Sequence, residues 1–248
     1  MDVAARARDY VRVAGPDAAD YLQRMVSNDV EALDPGEACP ALLLTAKARV
    51  LAPLVVLRRG GDDFLLLTEP GLGGVVHAHL TRMRLRAACE IESEEHDSAL
   101  VFGGDGFATD WPGAREVLDA GLDSNLSGEQ LELRRIESRV PRWEREIDDR
   151  ILPAEAGLDA THVSFSKGCY PGQEPVARLH FRGHPNRGLR VIELDEVPDY
   201  DAPLLHAGRE VGRVTSAARR EDGTVVALGY VRTEVPDDAP LALAARSG

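Results

Sequence analysis

Short apolar segments separated by turns are the feature of this sequence that most limits its fold. The longest of them, residues 41–45 and 50–57, fall far short of the roughly 18 residues that a membrane-spanning helix needs. Alternation and turn residues predict strands at residues 10–13, 41–45, 49–57, 64–68, 91–95 and 98–102. The helical period of apolar residues predicts helices at 18–27 and 71–88, and residues 113–121 are predicted as a further short helix.

The pattern of the chain changes after Gly168. Short alternating segments follow one another there, at residues 176–181, 189–194, 211–217 and 225–231, with turns such as Asp222-Gly223 between them. This spacing is typical of an all-β barrel or sandwich. The sequence therefore predicts an α+β protein that ends in a small β domain.

The charge of the chain excludes broad classes of partner. Its 248 residues include 29 Lys and Arg against 42 Asp and Glu, which gives a net charge of −13. General nucleic-acid or anionic-membrane binding needs net positive charge, so neither direct nucleic-acid binding nor membrane association is expected. The three cysteines form no CxxC pair and no signal peptide is visible, so a reducing, cytoplasmic location is expected.

The most unusual segment is SKGCYPGQE at residues 166–174. Its two glycines and its proline force a tight loop in which backbone amides can approach a ligand. Cys169 lies near Lys167, and a neighbouring cation favours a thiolate over a thiol, so Cys169 is a candidate reactive residue that Lys167 tunes. The alternative is that Cys169 is a small buried hydrophobe, which is the commonest fate of a free cysteine.

A basic stretch begins at the same loop. Between residues 167 and 190, five Lys and Arg stand against one acid, and the stretch includes Arg178 and Arg182. Like charges focused in an acidic chain indicate a site for an anionic ligand. The alternative is a strand face whose arginines form surface salt bridges with the acidic remainder. No residues have the spacing of metal ligands, so no metal site is predicted.

Motifs spread along most of the chain resemble one family. The string KGCYPGQE at residues 167–174, with Ala177-Arg178 and Arg182-Gly183 after it, resembles the signature of the YgfZ-type folate-binding proteins. These proteins are relatives of the glycine cleavage T-protein, an aminomethyltransferase. Weaker motifs within residues 15–30, 135–158 and 208–230 resemble the opening, middle and C-terminal parts of the same family.

The resemblance implies a three-lobed T-protein-like ring around a central channel that binds tetrahydrofolate. A first folate-binding lobe takes residues 1–46 and 131–176, an inserted ferredoxin-like lobe takes 47–130, and a C-terminal β-barrel lobe takes 177–248. By the family pattern, Glu137 matches the carboxylate that hydrogen-bonds the pterin ring. Further ligand contacts are expected from Gln173, Glu174, Arg178 and Arg182. A monomer is the expected state.

One departure from the family pattern separates its branches. T-proteins carry an aspartate pair where this chain has Ala52-Pro53, and neither of these residues can transfer a proton. The resemblance therefore favours the YgfZ branch, which implies a tetrahydrofolate-binding protein that acts in iron–sulfur cluster assembly or repair and, indirectly, in tRNA modification. Its partners are then iron–sulfur proteins or assembly factors. The alternatives are an aminomethyltransferase-like one-carbon enzyme and a non-catalytic binding module.

Overall fold

A computed structural model describes residues 1–244, which contain four α-helices, fourteen strands and two short 3-10 helices. The helices are α1 (Ala18–Met25), α2 (Gly73–Met83), α3 (Gly128–Glu137) and α4 (Gln173–Arg182). The strands are β1 (Asp2–Ala5), β2 (Asp9–Ala14), β3 (Ala38–Leu44), β4 (Val50–Arg58), β5 (Asp63–Thr68), β6 (Glu90–Glu94), β7 (Ser98–Phe102), β8 (Phe107–Ala108), β9 (Ala114–Leu118), β10 (Arg187–Leu194), β11 (Pro203–His206), β12 (Arg209–Arg219), β13 (Val225–Arg232) and β14 (Ala242–Leu243). None of the helices in this part of the chain is long and apolar enough to cross a membrane.

The central sheet is antiparallel and has the strand order β3-β4-β5-β2-β6. Its strand β5 is a continuous apolar run because both faces of the sheet are covered. Phe64 and Leu66 pack with α1 and α2 on one face, whereas Leu65 and Leu67 belong to the core on the other face. The Tyr21 hydroxyl of α1 donates a hydrogen bond to the Leu80 carbonyl of α2 at 2.6 Å, which joins the two covering helices.

A second antiparallel sheet has the order β1-β7-β9-β8. The prediction of a helix at residues 113–121 is wrong, because this segment contains strand β9. Its alternation was hidden by Glu116, a fully buried carboxylate on the inward face. The Arg8 guanidinium donates two hydrogen bonds of 3.1 Å to Glu116, and this pairing is what allows a charged residue to occupy a core position.

The third sheet is the C-terminal one, with the antiparallel order β10-β13-β12-β11-β14. The prediction of a strand at residues 176–181 is wrong, because α4 covers this segment. Val176 is buried and Leu179 is half-buried, and a spacing of three residues places both on one helical face. The strands predicted at 189–194, 211–217 and 225–231 are confirmed.

The predicted lobe boundaries cut across these sheets. The division between residues 46 and 47 falls between β3 and β4, which are hydrogen-bonded neighbours, and the division at 130 falls inside α3. Within residues 1–244 no pairing joins β10 to β14, so the C-terminal sheet is not closed by the described strands. Residues 245–248 of the predicted third lobe lie outside the described residues. The division into lobes stays a prediction.

Candidate functional site

A cavity of about 290 Å³ lies where the central sheet meets the β8–β9 loop and the chain after α3. Its volume is close to the lower end of the range of roughly 300–1,000 Å³ found for ligand pockets. Apolar side chains form much of its wall, including Pro40, Pro53, Pro112, Pro141, Ile147 and Leu158. Polar groups of Glu69, Asp110 and His162 also line it. An apolar cleft with a few polar groups is suited to a flat organic ligand.

The Asp110 carboxylate is fully committed to protein partners. It accepts hydrogen bonds from Arg6 Nη1 and Nη2 at 2.7 and 2.9 Å, and from Arg8 Nη2 at 2.9 Å. Burial by itself raises the pKa of Asp110, but the charges of Arg6 and Arg8 outweigh it and hold the pKa well below its usual value. Asp110 is therefore a charged anchor for two arginines beside the cavity.

The Glu69 carboxylate is less committed. Its Oε1 atom lies 3.5 Å from both Arg6 Nη2 and Arg8 Nη1, and it accepts no hydrogen bond from any group within residues 1–244. Arg8 Nη1 is itself buried without a hydrogen-bond partner among these residues. Glu69 thus brings a carboxylate with free acceptor capacity to the cavity.

His162 brings a buried imidazole to the same cavity. His162 is only 3% exposed, and its Nδ1 atom lies 2.8 Å from the hydroxyl oxygen of Thr161. Within the described chain, Nε2 has no hydrogen-bond partner. Burial lowers the pKa of His162 to about 4, a shift that Asp110 opposes and Arg8 reinforces, so the ring is neutral near pH 7.

The segment that follows His162 is bound to the chain after α1. Ser27 Oγ donates a hydrogen bond to the His162 carbonyl at 2.6 Å, and the Ser164 amide donates one to the Ser27 carbonyl at 3.0 Å. The Lys167 ammonium donates to the carbonyls of Val26 and Asn28 at 2.8 and 2.7 Å. Lys167 is therefore an anchor that fixes one end of the KGCYPGQE loop.

The position of Lys167 bears on its predicted role toward Cys169. Burial lowers the pKa of Lys167 to about 8, and its charge interacts with the thiol of Cys39. Burial raises the pKa of Cys39 to about 12, an effect that Lys167 opposes. The tuning of Cys169 by Lys167 stays a prediction, and the structure adds an anchoring role that the sequence did not indicate.

Cys169 is a free and exposed cysteine, so it is not a buried hydrophobe. The loop that carries it is pressed against the β3–β4 turn at Gly172, which has a φ of +83°. A Cβ atom at Gly172 would lie 2.6 Å from the Thr45 carbonyl oxygen, and only glycine avoids this contact. The thiol is thus presented to solvent on a loop that is fixed on both sides.

The other predicted site residues follow Cys169 on α4. Gln173 is half-buried, whereas Glu174, Arg178 and Arg182 are exposed. Their backbones belong to helix α4, but the side chains of Arg178 and Arg182 make no hydrogen bond or ion pair with the described residues. The remaining arginines of the basic stretch are paired, since Arg187 binds Glu155 at 2.9 Å and Arg190 binds Asp237 at 3.2 Å. The salt-bridge interpretation therefore applies to Arg187 and Arg190, and an anion site at Arg178 and Arg182 stays a prediction.

Glu137 lies at the end of α3, outside both the lining of the cavity and the unit formed by the KGCYPGQE loop and α4. Its Oε1 accepts a hydrogen bond from Arg220 Nε at 2.7 Å, and its side chain is 40% exposed. The cavity is lined instead by the residues that follow it, Ser138 and Arg139. The structure thus brings the predicted residues of 167–182 together on one loop and helix, and it places Glu137 in a surface ion pair.

Sequence reasoning missed Glu69, Asp110 and His162. None of them lies in a motif with recognisable spacing, and they come from three distant parts of the chain. Only burial and the position of the cavity distinguish them from the many other charged residues. No local signal in the sequence identifies them.

The fold and this site define the class of the protein. Its structure matches the glycine cleavage system aminomethyltransferase T from Bartonella henselae with a TM-score of 0.78, over 93% of this chain and 78% of the other, at 19% sequence identity. The predicted T-protein-like α+β fold is therefore confirmed. The GCVT N-terminal domain profile matches residues 7–132, so the chain belongs to this family.

Sequence relatives place the chain near one branch of that family. The tRNA-modifying protein YgfZ of Klebsiella pneumoniae is 28% identical over 276 aligned residues, which cover 92% of this chain and 84% of the relative. An iron-sulfur cluster assembly factor IBA57 homolog of Mycosarcoma maydis is 29% identical over 71% of this chain and 53% of its own length. The resemblance to YgfZ-type proteins is confirmed.

Proposed function

We propose that this protein binds tetrahydrofolate and acts in the assembly or repair of iron–sulfur clusters, and through iron–sulfur enzymes in tRNA modification. The observation that carries the proposal is the exposed thiol of Cys169 on the anchored KGCYPGQE loop. Thiolates are the usual protein ligands of iron–sulfur clusters. The names of the YgfZ and IBA57 relatives support the same assignment.

The surroundings of Cys169 suit the transfer of an iron–sulfur cluster to or from a partner protein. The cluster is the cargo in this proposal, and the exposed thiol gives it a ligand that a partner's surface can reach. Arg178 and Arg182, the unpaired arginines of α4, offer positive charge to an acidic partner surface. The Lys167 anchor and the Gly172 contact limit the movement of the loop, so little ordering entropy is lost on docking.

The cavity suits the ring of tetrahydrofolate better than a larger, acidic depression of the surface does. That depression, of about 900 Å³, is lined by five carboxylates, those of Asp9, Glu94, Glu95, Asp97 and Asp119. Such a lining repels the negatively charged glutamate of folate. The cavity of about 290 Å³ pairs its acids with Arg6 and Arg8 and offers apolar walls to a ring. Glu137, Gln173 and Glu174 stay predictions of the family pattern as folate contacts.

Pro53 in the cavity wall argues against aminomethyl transfer. The aspartates of T-proteins match Ala52-Pro53 here, and Pro53 lines the cavity with a side chain that neither holds a charge nor moves a proton. Purified protein given tetrahydrofolate and a methylamine-type donor is expected to show no turnover. Turnover would favour the one-carbon enzyme instead.

The first experiment replaces Cys169 by serine in cells that lack the corresponding gene. The variant is expected to lose support of iron–sulfur enzyme activity while keeping the wild-type melting temperature, because Cys169 is exposed and its side chain holds no core contact. Cys39→Ala is the matched control, since this thiol is half-buried and is not on the loop. Full activity with Cys169→Ser would contradict the proposed role of the thiol.

The second experiment measures the melting temperature with and without tetrahydrofolate. A ligand that binds only the folded state stabilises it by about 2.7 kcal/mol at one hundred times its dissociation constant. A rise in melting temperature that saturates with ligand concentration is expected. An unchanged melting temperature at high ligand concentration would rule out the folate part of the proposal.

A further inference from the structure

We infer that Glu69 and His162 recognise the hydrogen-bonding edge of a neutral, planar heterocycle in the cavity, with Glu69 as its principal anchor. The inference rests on the proposed folate binding and deepens it, because it names which residues read the ring. Neither residue belongs to the motifs of the sequence, and their assignment follows from the arrangement of hydrogen bonds around the cavity.

Glu69 has the acceptor capacity that ring recognition needs. Its carboxylate lines the cavity, is 20% exposed and takes no hydrogen bond from the described residues. The guanidinium groups of Arg6 and Arg8, each 3.5 Å from Oε1, place positive charge beside the carboxylate without occupying it with good hydrogen bonds. A carboxylate in this state can accept two parallel N–H groups, one from a ring amide and one from the adjacent amino group.

The alternative carboxylate of the cavity, Asp110, is already used. Both of its oxygens accept hydrogen bonds from Arg6, and Oδ1 accepts another from Arg8. Arg8 is in turn held by Glu116 through two hydrogen bonds. These contacts fix the two arginines in place. Glu69 is then the carboxylate of the cavity that can still accept hydrogen bonds from a ligand.

His162 supplies the second polar contact. Its backbone is fixed on both sides, because its amide donates to the Leu158 carbonyl at 2.8 Å and its carbonyl accepts from Ser27 Oγ. With Nδ1 beside the Thr161 hydroxyl, the buried ring has Nε2 left for a ligand. Nε2 can therefore form a hydrogen bond with a ring nitrogen or carbonyl of a ligand in the cavity.

The walls fix the class of ligand. The proline rings of Pro40, Pro53 and Pro141 and the Leu158 side chain offer apolar surface to the faces of a ring. A neutral imidazole favours an uncharged ring edge, and a single acceptor carboxylate favours adjacent amino and N–H groups. A 2-aminopyrimidinone edge has this pattern, and the cavity volume leaves an acidic tail outside.

The test is isothermal titration of the full-length protein with tetrahydrofolate and with a pterin that lacks the glutamate tail. Glu69→Gln is expected to weaken both ligands by at least about tenfold, and His162→Gln by a smaller factor, because a charge-assisted hydrogen bond contributes more than a neutral one. Glu221→Gln, at an exposed residue of the turn between β12 and β13, is the matched control and is expected to leave the affinity for the tail-less pterin unchanged. Melting temperatures show whether each variant is folded, and Glu69→Asp, which keeps the charge but shortens its reach, is used if Glu69→Gln does not fold.

The outcomes separate this inference from the proposed function. If the wild type binds the ligands and Glu69→Gln or Glu69→Asp binds them equally well, the assignment of Glu69 is wrong. The proposed folate binding is not affected by that result. The same holds if Glu137→Gln weakens the tail-less pterin and Glu69→Gln does not. A wild-type protein that binds neither ligand overturns the proposed folate binding and this inference together.

Discussion

Burial lowers the pKa of two ionisable residues, His162 and Lys167, and their different ordinary values decide what each one does. The two residues are five positions apart, and their ordinary pKa values are 6.5 and 10.5. Burial lowers the pKa of His162 to about 4, so it is neutral, while that of Lys167 falls only to about 8, so it remains mostly charged on two carbonyl oxygens. One residue is thus suited to a neutral ligand edge and the other to holding the loop.

The first prediction concerns the stability of the protein in mild acid. Because the folded-state pKa of His162 lies below the ordinary value of 6.5, the unfolded chain binds this proton more readily between about pH 6.5 and 4. Stability is therefore lost as the pH falls through that window. The wild type is expected to lose roughly 2 kcal/mol more than His162→Gln between pH 7 and 4.5, measured by chemical denaturation.

The exposed His184 provides the control for this measurement. The variant His184→Gln is expected to follow the wild-type pH dependence, because it leaves the buried His162 unchanged and replaces only an exposed side chain. An acid sensitivity that is the same in wild type and His162→Gln would contradict the buried, neutral state of His162.

At the scale of elements, the KGCYPGQE loop and α4 form one unit, which the sequence pattern did not predict because it indicated a strand after the loop. Residues 176–181 alternate in a way that predicts a strand, yet Gly172 begins the helix with a left-handed conformation and Gly183 ends it. Pro175 lies in the first turn, where its missing N–H is tolerated. The unit is positioned by the close approach of Gly172 to the β3–β4 turn, which is a tertiary contact.

The second prediction tests this contact with a pair of glycines from the same loop. Gly172→Ala is expected to destabilise the protein by about 2 kcal/mol or more, because the new Cβ meets the Thr45 oxygen at 2.6 Å and the φ of +83° is strained for alanine. Gly168→Ala has open space around it and is expected to change stability by about 0.5 kcal/mol or less. Denaturant unfolding measures both, and equal effects would refute the packing of the loop on the turn.

At the scale of the whole molecule, a buried ion pair joins the C-terminal sheet to the rest of the chain. Arg135 of α3 donates hydrogen bonds to Glu146 Oε2 at 3.0 Å and to Ser216 Oγ of β12 at 2.6 Å. Ser216 Oγ donates to Glu146 Oε1 at 2.7 Å, and the Tyr230 hydroxyl of β13 donates to the Glu146 carbonyl at the same distance. The Glu146 side chain is fully buried, so its charge depends on Arg135.

The third prediction uses two adjacent arginines of α3. Arg135→Met is expected to destabilise the protein by about 3–5 kcal/mol, because it leaves the buried Glu146 carboxylate without its cation. Arg134→Met removes a half-exposed ion pair with Asp2 and a cation–π contact with Phe102, and it is expected to cost about 1 kcal/mol or less. Denaturation curves, with limited proteolysis of the C-terminal sheet as a second measure, distinguish the two; similar losses would contradict the role of the buried pair.

Much of the fold was predictable because its signals are local. Alternation and turn residues located every strand of the central sheet and β10, β12 and β13 of the C-terminal sheet, but only β7 of the second sheet. The helical period located α1 and α2. The two errors, β9 and α4, arose where a tertiary partner changed the pattern. Glu116 is buried only because Arg8 reaches it, and α4 is helical in a segment whose alternation resembles a strand.

The sequence by itself determined the family, the fold class and the loop that carries Cys169, because these depend on short motifs and on the local spacing of apolar and turn residues. Tertiary structure alone decided which charged residues face the cavity and which are tied to other partners. Glu69, Asp110 and His162 come from distant positions, and Glu137 is turned toward Arg220. The physical reason is that burial and ion pairing depend on which segments meet in space, and no local pattern records that.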